Sequence, residues 1–104
     1  MAKYQLSIIT PSGKIFEGKA DSLIAPGESG FFGILARHAP ITILLKKGPL
    51  TVKQDSIDTY FAINSGVLEM NANNEVLVLS DSAVKANTYE AAKILSENLE
   101  VNLI

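Results

Sequence analysis

Residues 3–13 read KYQLSIITPSG, and this stretch decides the class of fold. Its apolar residues Tyr4, Leu6 and Ile8 alternate with polar neighbours, which is the period of a β-strand with one buried face. The Thr-Pro-Ser-Gly that follows suits a type I turn, because proline favours the second position and glycine the fourth. The stretch therefore predicts a strand that leads into a tight turn.

The same combination of strand and turn recurs along the chain. Alternation returns at residues 41–46, 57–63 and 76–78, and turn signals stand at residues 26–27, 48–49, 54–56, 64–66 and 71–74. The pair Pro26-Gly27 predicts a type II turn, in which glycine supplies the positive φ. Short strands separated by turns every 8–12 residues are typical of an antiparallel sandwich or barrel.

Two segments are apolar on both faces, namely Val67-Leu68 and the run from Val76 to Leu79. A strand in a sandwich needs only one apolar face for the core. We therefore expect the second face of these strands to meet a helix, a loop or another protein.

The spacing of apolar residues changes after Ala83 from the alternation of a strand to the three-to-four-residue repeat of a helix. Asn87 as the N-cap and Glu90 three residues later resemble a capping box. Helical spacing then predicts a helix from Thr88 to about Leu99 whose packed side carries Ala91, Ile94, Leu95 and Leu99. The predicted organisation is a β-sandwich domain over residues 1–84 and a truncated C-terminal helical segment over residues 85–104, with Val101–Ile104 as a tail.

Composition excludes several classes of function. The 104 residues suit one domain, and nine basic against eleven acidic side chains, without a run of either sign, offer no footprint for nucleic acid. No apolar run approaches the ~20 residues of a membrane helix, and the N-terminus lacks a signal-peptide core. We expect a chain that does not insert into the membrane directly.

Residues 30–40 read GFFGILARHAP and contain the only histidine, His38. A hydrolase would need a nucleophile and an orienting carboxylate beside it, and no G-x-S-x-G motif is present. One histidine without cysteine cannot form a tetrahedral zinc site, and Gly30-x-x-Gly33 lacks the ending of a phosphate loop. We expect no catalytic residue, no metal and no cofactor. Phe31 and Phe32 should point to opposite faces of a strand. Either one ring is buried in the core and the other lies against a neighbouring loop, or one ring is exposed and anchors a protein interface.

Five motifs follow one another in an order that identifies a family. They are T-P-x-G at residues 10–13, P-G-x-x-G at 26–30, G-I-L-x-x-H-A-P at 33–40, Lys-x-Gly at 46–48 and S-G-x-L-E-V at 65–70, where this chain has Met70 at the last position. In this order and spacing the chain resembles the ε subunit of the F-type ATP synthase, from residue 4 to about residue 85.

The resemblance implies a fold and a function. The fold would be mainly β, a flattened antiparallel β-sandwich followed by one short C-terminal α-helix. The function would be that of a non-catalytic rotor subunit in the central stalk of a proton- or sodium-translocating ATP synthase. It would link the γ subunit to the c-ring, contact the α/β catalytic head indirectly, and lie peripherally at the cytoplasmic face of the inner (plasma) membrane.

Two surfaces carry over from the family residue by residue. The c-ring docking loop corresponds to Gly27, Glu28, Ser29, Gly30, Phe31 and Phe32, and the γ-facing positions correspond to Thr10, His38 and Ile43. Other members commonly carry an acidic and an aliphatic residue where this chain has Phe31-Phe32, so the c-ring contact should be more apolar here.

The C-terminal part departs further from the family. Longer members have a two-helix hairpin that inhibits ATP hydrolysis, and some bind ATP through a motif whose arginine corresponds to Glu90 here. We expect neither ATP binding nor strong inhibition. The alternatives are a small all-β ligand- or protein-binding module unrelated to ATP synthase and, less favoured, a hydrolase that uses His38.

Overall fold

The computed structural model describes residues 2–98. This part of the chain contains ten strands and one helix. Their bounds are β1 (Tyr4–Thr10), β2 (Gly13–Ala20), β3 (Ser22–Gly27), β4 (Gly30–Leu35), β5 (Ile41–Leu45), β6 (Gly48–Gln54), β7 (Ile57–Ile63), β8 (Gly66–Met70), β9 (Glu75–Ser80), β10 (Ala83–Ala86) and α1 (Tyr89–Glu97).

The strands form a sandwich whose two layers are joined at one corner. The order of pairing is β10-β7-β6-β3-β5-β8-β9-β1-β2, with β4 attached to β3. A single pair, Gly27 with Leu45, joins β3 to β5 at the corner. The predicted sandwich with one helix is confirmed. One pairing departs from the antiparallel expectation, because β1 and β9 run parallel.

The core lies between the layers and follows the predicted alternation. Tyr4, Leu6 and Ile8 of β1 are buried, as are Leu68 of β8 and Val76 and Val78 of β9. Contacts also cross between the layers, since the Phe16 and Phe61 rings meet edge to face with their centroids 5.8 Å apart. The Tyr4 hydroxyl donates a hydrogen bond to the Ile34 carbonyl at 2.9 Å. Burial, together with the nearby Asp21 carboxylate, raises the pKa of this phenol well above its ordinary value.

An ion-pair cluster joins three segments at one end of the sandwich. The Lys3 ammonium lies 2.9 Å from carboxylate oxygens of both Asp21 and Asp55. Asp21 also accepts the backbone N–H of Asp55, which has φ 55°. The hydrogen bonds from Lys3 and from the Asp55 N–H hold the pKa of Asp21 below its ordinary value, and the two carboxylates raise the pKa of Lys3. The cluster fixes the start of β1 against the β2–β3 and β6–β7 turns.

The predicted type II turn at Pro26-Gly27 is wrong. Both residues lie in β3, and the turn is formed by Glu28 and Ser29 between the paired residues Gly27 and Gly30. Proline is accepted within this strand because its carbonyl, rather than the missing N–H, makes the contact, accepting the Lys46 N–H at 2.9 Å. The positive φ belongs to Gly30, at 130°.

The helix exists as predicted, but its cap and its packed side differ from the prediction. The N-cap is Thr88, not Asn87, and its hydroxyl accepts the Ala91 N–H, so Glu90 does not complete a capping box. The helix packs on β6, β7 and β10 through its small residues Ala92 and Ser96. Ile94 and Leu95 point outward, because small side chains allow the closer approach to the sheet.

The predicted division of the chain stays a prediction. Its boundary after residue 84 falls within β10, which pairs with β7 over Ala83–Ala86. The predicted tail Val101–Ile104 and the helical position Leu99 lie outside the described residues.

Candidate partner-binding surface

The β3–β4 hairpin carries the six predicted docking residues and brings them together. Gly27 and Gly30 flank the Glu28-Ser29 turn, and the Glu28 N–H donates to the Leu44 carbonyl of β5 at 3.0 Å. A Cβ on Gly27 would lie 2.9 Å from the Gly30 carbonyl oxygen and 3.0 Å from the Phe32 ring, so only glycine fits there. The hairpin and residues Thr42–Leu44 of β5 line a groove of about 480 Å³.

Phe31 and Phe32 point to opposite faces, as predicted. Phe32 packs against the core, whereas Phe31 is 54% exposed at the tip of the hairpin. Phe31 also borders a crevice lined by Pro26, Lys46 and Pro49 and by residues 93, 96 and 97 of α1. An exposed aromatic side chain at the end of a short, well-fixed hairpin is suited to insertion into a partner protein.

A row of apolar side chains crosses the outer face of the other layer. Register places Leu44 of β5 opposite Val67 of β8, Val67 opposite Leu79 of β9, and Leu79 opposite Ile9 of β1. We call these four residues the outer apolar row. Leu44 and Leu79 are 57% and 41% exposed, and the other two are half-buried. Since α1 packs on the opposite layer, no helix of the described chain covers the row.

The outer apolar row explains why two segments are apolar on both faces. The sequence indicated that this second face must be covered, and within residues 2–98 no element covers it. The row itself was not predicted, because it depends on the register of four strands that are distant in the chain. The sequence did indicate single members of the row, namely the outward-facing apolar residue in each strand that is apolar on both faces.

Thr10 lies at the far end of the row, as the last residue of β1 before the β1–β2 turn. Its side chain is nearly buried, accepts the Ser12 N–H at 3.1 Å and donates to the Gly13 carbonyl at 3.4 Å. Thr10 also lines a concavity of about 460 Å³ with Val67, Leu79 and neighbouring residues. The hydroxyl therefore shapes the turn, and the turn borders the row.

The other two predicted γ-facing residues lie apart from Thr10. Ile43 lines the hairpin groove and packs partly against the core. His38 is exposed in the β4–β5 loop, a strand length away from the hairpin tip, with its Nδ1 2.7 Å from the Ala39 carbonyl oxygen. Asn74 fixes this loop by accepting the Arg37 N–H at 2.7 Å. The structure thus groups Ile43 with the hairpin, Thr10 with the row, and neither with His38.

The described residues present exposed apolar side chains suited to contact with a partner protein. The recorded hydrogen bond of His38 is to the backbone of its neighbour. Among residues 2–98, no three His, Asp or Glu side chains are grouped closely enough to hold a metal ion. In the same range, no helix has the length and apolar character needed to cross a bilayer. A β-sandwich with an exposed apolar row and a projecting hairpin defines an interaction domain.

Comparison with known proteins identifies the family. Residues 3–86 match the family described as "ATP synthase, Delta/Epsilon chain, beta-sandwich domain". The chain belongs to this family.

Relatives and solved structures agree with the assignment. The chain is 39% identical to the ATP synthase epsilon chain of Acidithiobacillus ferridurans, covering 86% of this chain and 62% of that one. It is 38% identical to that of Desulforamulus reducens, covering 99% of this chain and 80% of the relative. A chain in the Euglena gracilis mitochondrial ATP synthase shares the fold, with a TM-score of 0.76 at 21% identity over 82% of this chain and 54% of its own length.

Proposed function

We propose that this protein is the ε-type subunit of the central stalk of a proton- or sodium-translocating ATP synthase, and that it transmits torque by holding γ and the c-ring in register. The outer apolar row is the observation that carries the proposal, because a permanent partner must cover it. The names of the relatives and the family membership of residues 3–86 support the same function. They argue against an unrelated all-β ligand-binding module.

The γ subunit is the partner proposed for the outer apolar row. The row continues into the Thr10 turn at one end and reaches the hairpin groove with Ile43 at the other. Of the three inherited γ-facing positions, Thr10 therefore borders the row, and Ile43 precedes the row residue Leu44 in β5. His38 would contact a second part of γ, since it lies at the opposite end of the sandwich.

The c-ring is the partner proposed for the β3–β4 hairpin. The hairpin presents one charged side chain, Glu28, and one exposed aromatic side chain, Phe31. The contact should therefore depend more on apolar burial than on charge, and a steep loss of c-ring affinity with added salt would contradict this.

The chain is proposed to act without catalysis and without ATP, peripherally at the cytoplasmic face of the membrane. Catalysis would then belong to the α/β head, which the chain contacts indirectly. The described helix of nine residues is only about 14 Å long at 1.5 Å per residue. Deletion of residues 86–104 should accordingly leave the ATPase rate of the assembled enzyme nearly unchanged, and a several-fold rise would contradict this.

Binding to purified γ tests the proposal. The wild-type chain should co-elute with γ as a stable complex, and Leu79→Asp should raise the Kd at least about tenfold, equivalent to ~1.4 kcal/mol. Ile57→Asp is the matched control, because Ile57 is also apolar, 67% exposed and in a strand, but lies in the other layer. Equal losses in both variants, or no complex with the wild type, would refute the proposed γ surface.

Cross-linking tests the c-ring contact separately. The chain has no cysteine, so Ser29→Cys places a single photoreactive label on the hairpin. The label should react with the c-ring in the assembled enzyme. A label at Asn73→Cys, in the β8–β9 turn, should not. Equal reaction from the two positions would exclude the hairpin as the docking element.

A further inference from the structure

Three strands end the pairing network of the described residues, and only one of them is unprotected. The edge strand β2 carries Lys14, Glu17 and Lys19 and contains a bulge at Ile15, which has no partner in β1. The edge strand β10 has four residues, including Lys85. Charges, bulges and shortness are the usual protections of a free sheet edge. Strand β4 has none of them, because its six residues are GFFGIL and its pairing with β3 is regular.

Hydrogen bonding fixes which groups of β4 are unpaired. The Pro26 carbonyl and the Glu28 N–H face β5, where they bond Lys46 and Leu44. Because successive residues of a strand bond to opposite sides, Gly27 and Ala25 face β4 instead, and they pair with Gly30 and Phe32. The N–H and C=O groups of Phe31, Gly33 and Leu35 consequently point away from β3. Within residues 2–98, β3 is the only strand that pairs with β4.

The side chains around this edge are apolar and symmetric about Gly33. Phe31 and Leu35, two residues to either side, are 54% and 68% exposed on one face of the strand. Ile24 of β3 lies opposite Gly33 and is also exposed on that face. The edge therefore reads nearly the same in both directions, which is what pairing with an antiparallel copy of itself requires.

Charge is complementary in the same arrangement. Glu28 precedes β4 at one end, and Arg37 with His38 follows it at the other. In an antiparallel pair centred on Gly33, the Glu28 turn of each copy lies beside the Arg37–His38 turn of the other. Because the pair has two-fold symmetry, the contact between these two turns occurs twice in the dimer.

We propose that the free protein forms a two-fold dimer by antiparallel pairing of β4 with β4 of a second copy, centred on Gly33. Phe31 then pairs with Leu35 of the second copy, Gly33 with Gly33 of the second copy, and the outward N–H and C=O groups of all three residues are satisfied. Phe31 also belongs to the hairpin, so dimer and docked subunit exclude one another. The dimer protects this edge before assembly, and its existence does not depend on which partner replaces it.

A single cysteine at the centre of symmetry gives a direct test. Opposed Cα atoms in a hydrogen-bonded antiparallel pair lie about 5.5 Å apart, within the ~4.4–6.8 Å range of disulfides. Gly33 has no positive φ, and a Cβ there would meet the Leu23 carbonyl at 3.6 Å, an ordinary contact. Gly33→Cys should form a disulfide-linked dimer under mild oxidation, whereas Ile57→Cys, also at an exposed strand position, should not. Equal cross-linking of both, or none at Gly33→Cys, would overturn the proposal.

Sedimentation of the unmodified chain provides the second measurement. We expect a monomer–dimer equilibrium between about 1 and 100 μM, as for a small interface. Leu35→Lys should raise the dimer Kd at least about tenfold, because lysine blocks edge pairing, while Ile57→Lys should leave the Kd unchanged. Amide exchange at Phe31, Gly33 and Leu35 should slow as concentration rises. A monomer throughout this range, or equal effects of both variants, would contradict the β4 dimer.

Discussion

Strands β1, β5, β8 and β9 present similar apolar side chains to two very different surroundings. On their inner face, Ile8, Leu68 and Val78 are completely buried. On their outer face, the adjacent residues Ile9, Val67 and Leu79 form most of the outer apolar row. Neighbours in the same strand thus differ only in what covers them. The number of apolar residues in a strand therefore does not tell which of them belong to the core and which to an exposed surface. That depends on whether the face of the strand is turned toward the other layer or away from it.

The largest effect is expected from the inner face. Leu68→Ala should lower the free energy of unfolding by about 2–5 kcal/mol, because it removes buried methyl groups and leaves a cavity. Urea denaturation of this variant should be compared with Val67→Ala, its neighbour on the outer face, which should lose much less. Equal losses would mean that both faces contribute to the same core.

A polar contact that crosses the layers should have a smaller effect. Tyr4→Phe removes the hydroxyl that donates to the Ile34 carbonyl, and we expect a loss of about 1 kcal/mol in the free energy of unfolding. The ring remains to fill its place in the core, so thermal unfolding should stay cooperative. A loss as large as that of Leu68→Ala would indicate that the packing of the core depends on the hydroxyl, beyond the single hydrogen bond that it donates.

The ion-pair cluster should contribute in a pH-dependent way. Because the folded pKa of Asp21 lies below its ordinary value of 3.8, the contribution is present above pH 3.8 and is lost as pH falls through the folded pKa. Lys3 behaves in the opposite sense, since its raised pKa keeps its contribution until pH rises through that value.

Asp21→Asn isolates the acidic half of this dependence. The wild type should be more stable than the variant near neutral pH, and the difference in urea midpoint should shrink as pH falls below 3.8. A difference that stays constant down to pH 2 would show that Asp21 acts through hydrogen-bond geometry rather than charge.

The smallest effect on stability is expected from the outer apolar row. Leu44→Ser should change the free energy of unfolding by at most about 0.5 kcal/mol, as surface substitutions do, since Leu44 is largely exposed in the free chain. Differential scanning calorimetry of the isolated chain would detect a larger change. A loss of several kcal/mol would place Leu44 in the core and remove the basis for a docking face.

The sequence predicted those parts of the fold that depend on local pattern. Alternation at Tyr4–Ile8 and the turn after Thr10 were enough for β1 and its hairpin. The prediction of a turn at Pro26-Gly27 was wrong because strand pairing on both sides of β3 overrides the local turn preference of the Pro-Gly pair. The prediction of which side of α1 packs on the sheet was wrong. Helical periodicity pointed to the large apolar residues, whereas the small side chains of Ala92 and Ser96 let the helix approach the sheet more closely.

The candidate site was predictable only in part for a similar reason. The hairpin and the exposed Phe31 are local features, and the motifs located them. The outer apolar row requires the register between β5, β8, β9 and β1, which no single segment contains. The separation of His38 from Thr10 likewise follows from the positions of their loops at opposite ends of the sandwich.

The parallel pairing of β1 with β9 has a consequence for biosynthesis. The first strand of the chain acquires its second neighbour only from residues 75–79, about seventy positions later. Long-range pairing of this kind forms slowly and cannot start until the later segment has been synthesised. Ile9 and Leu79 therefore become adjacent only after most of the sandwich has been synthesised. A partner that contacts both residues would therefore bind only chains in which β1 and β9 have paired, and incompletely folded chains would not be assembled.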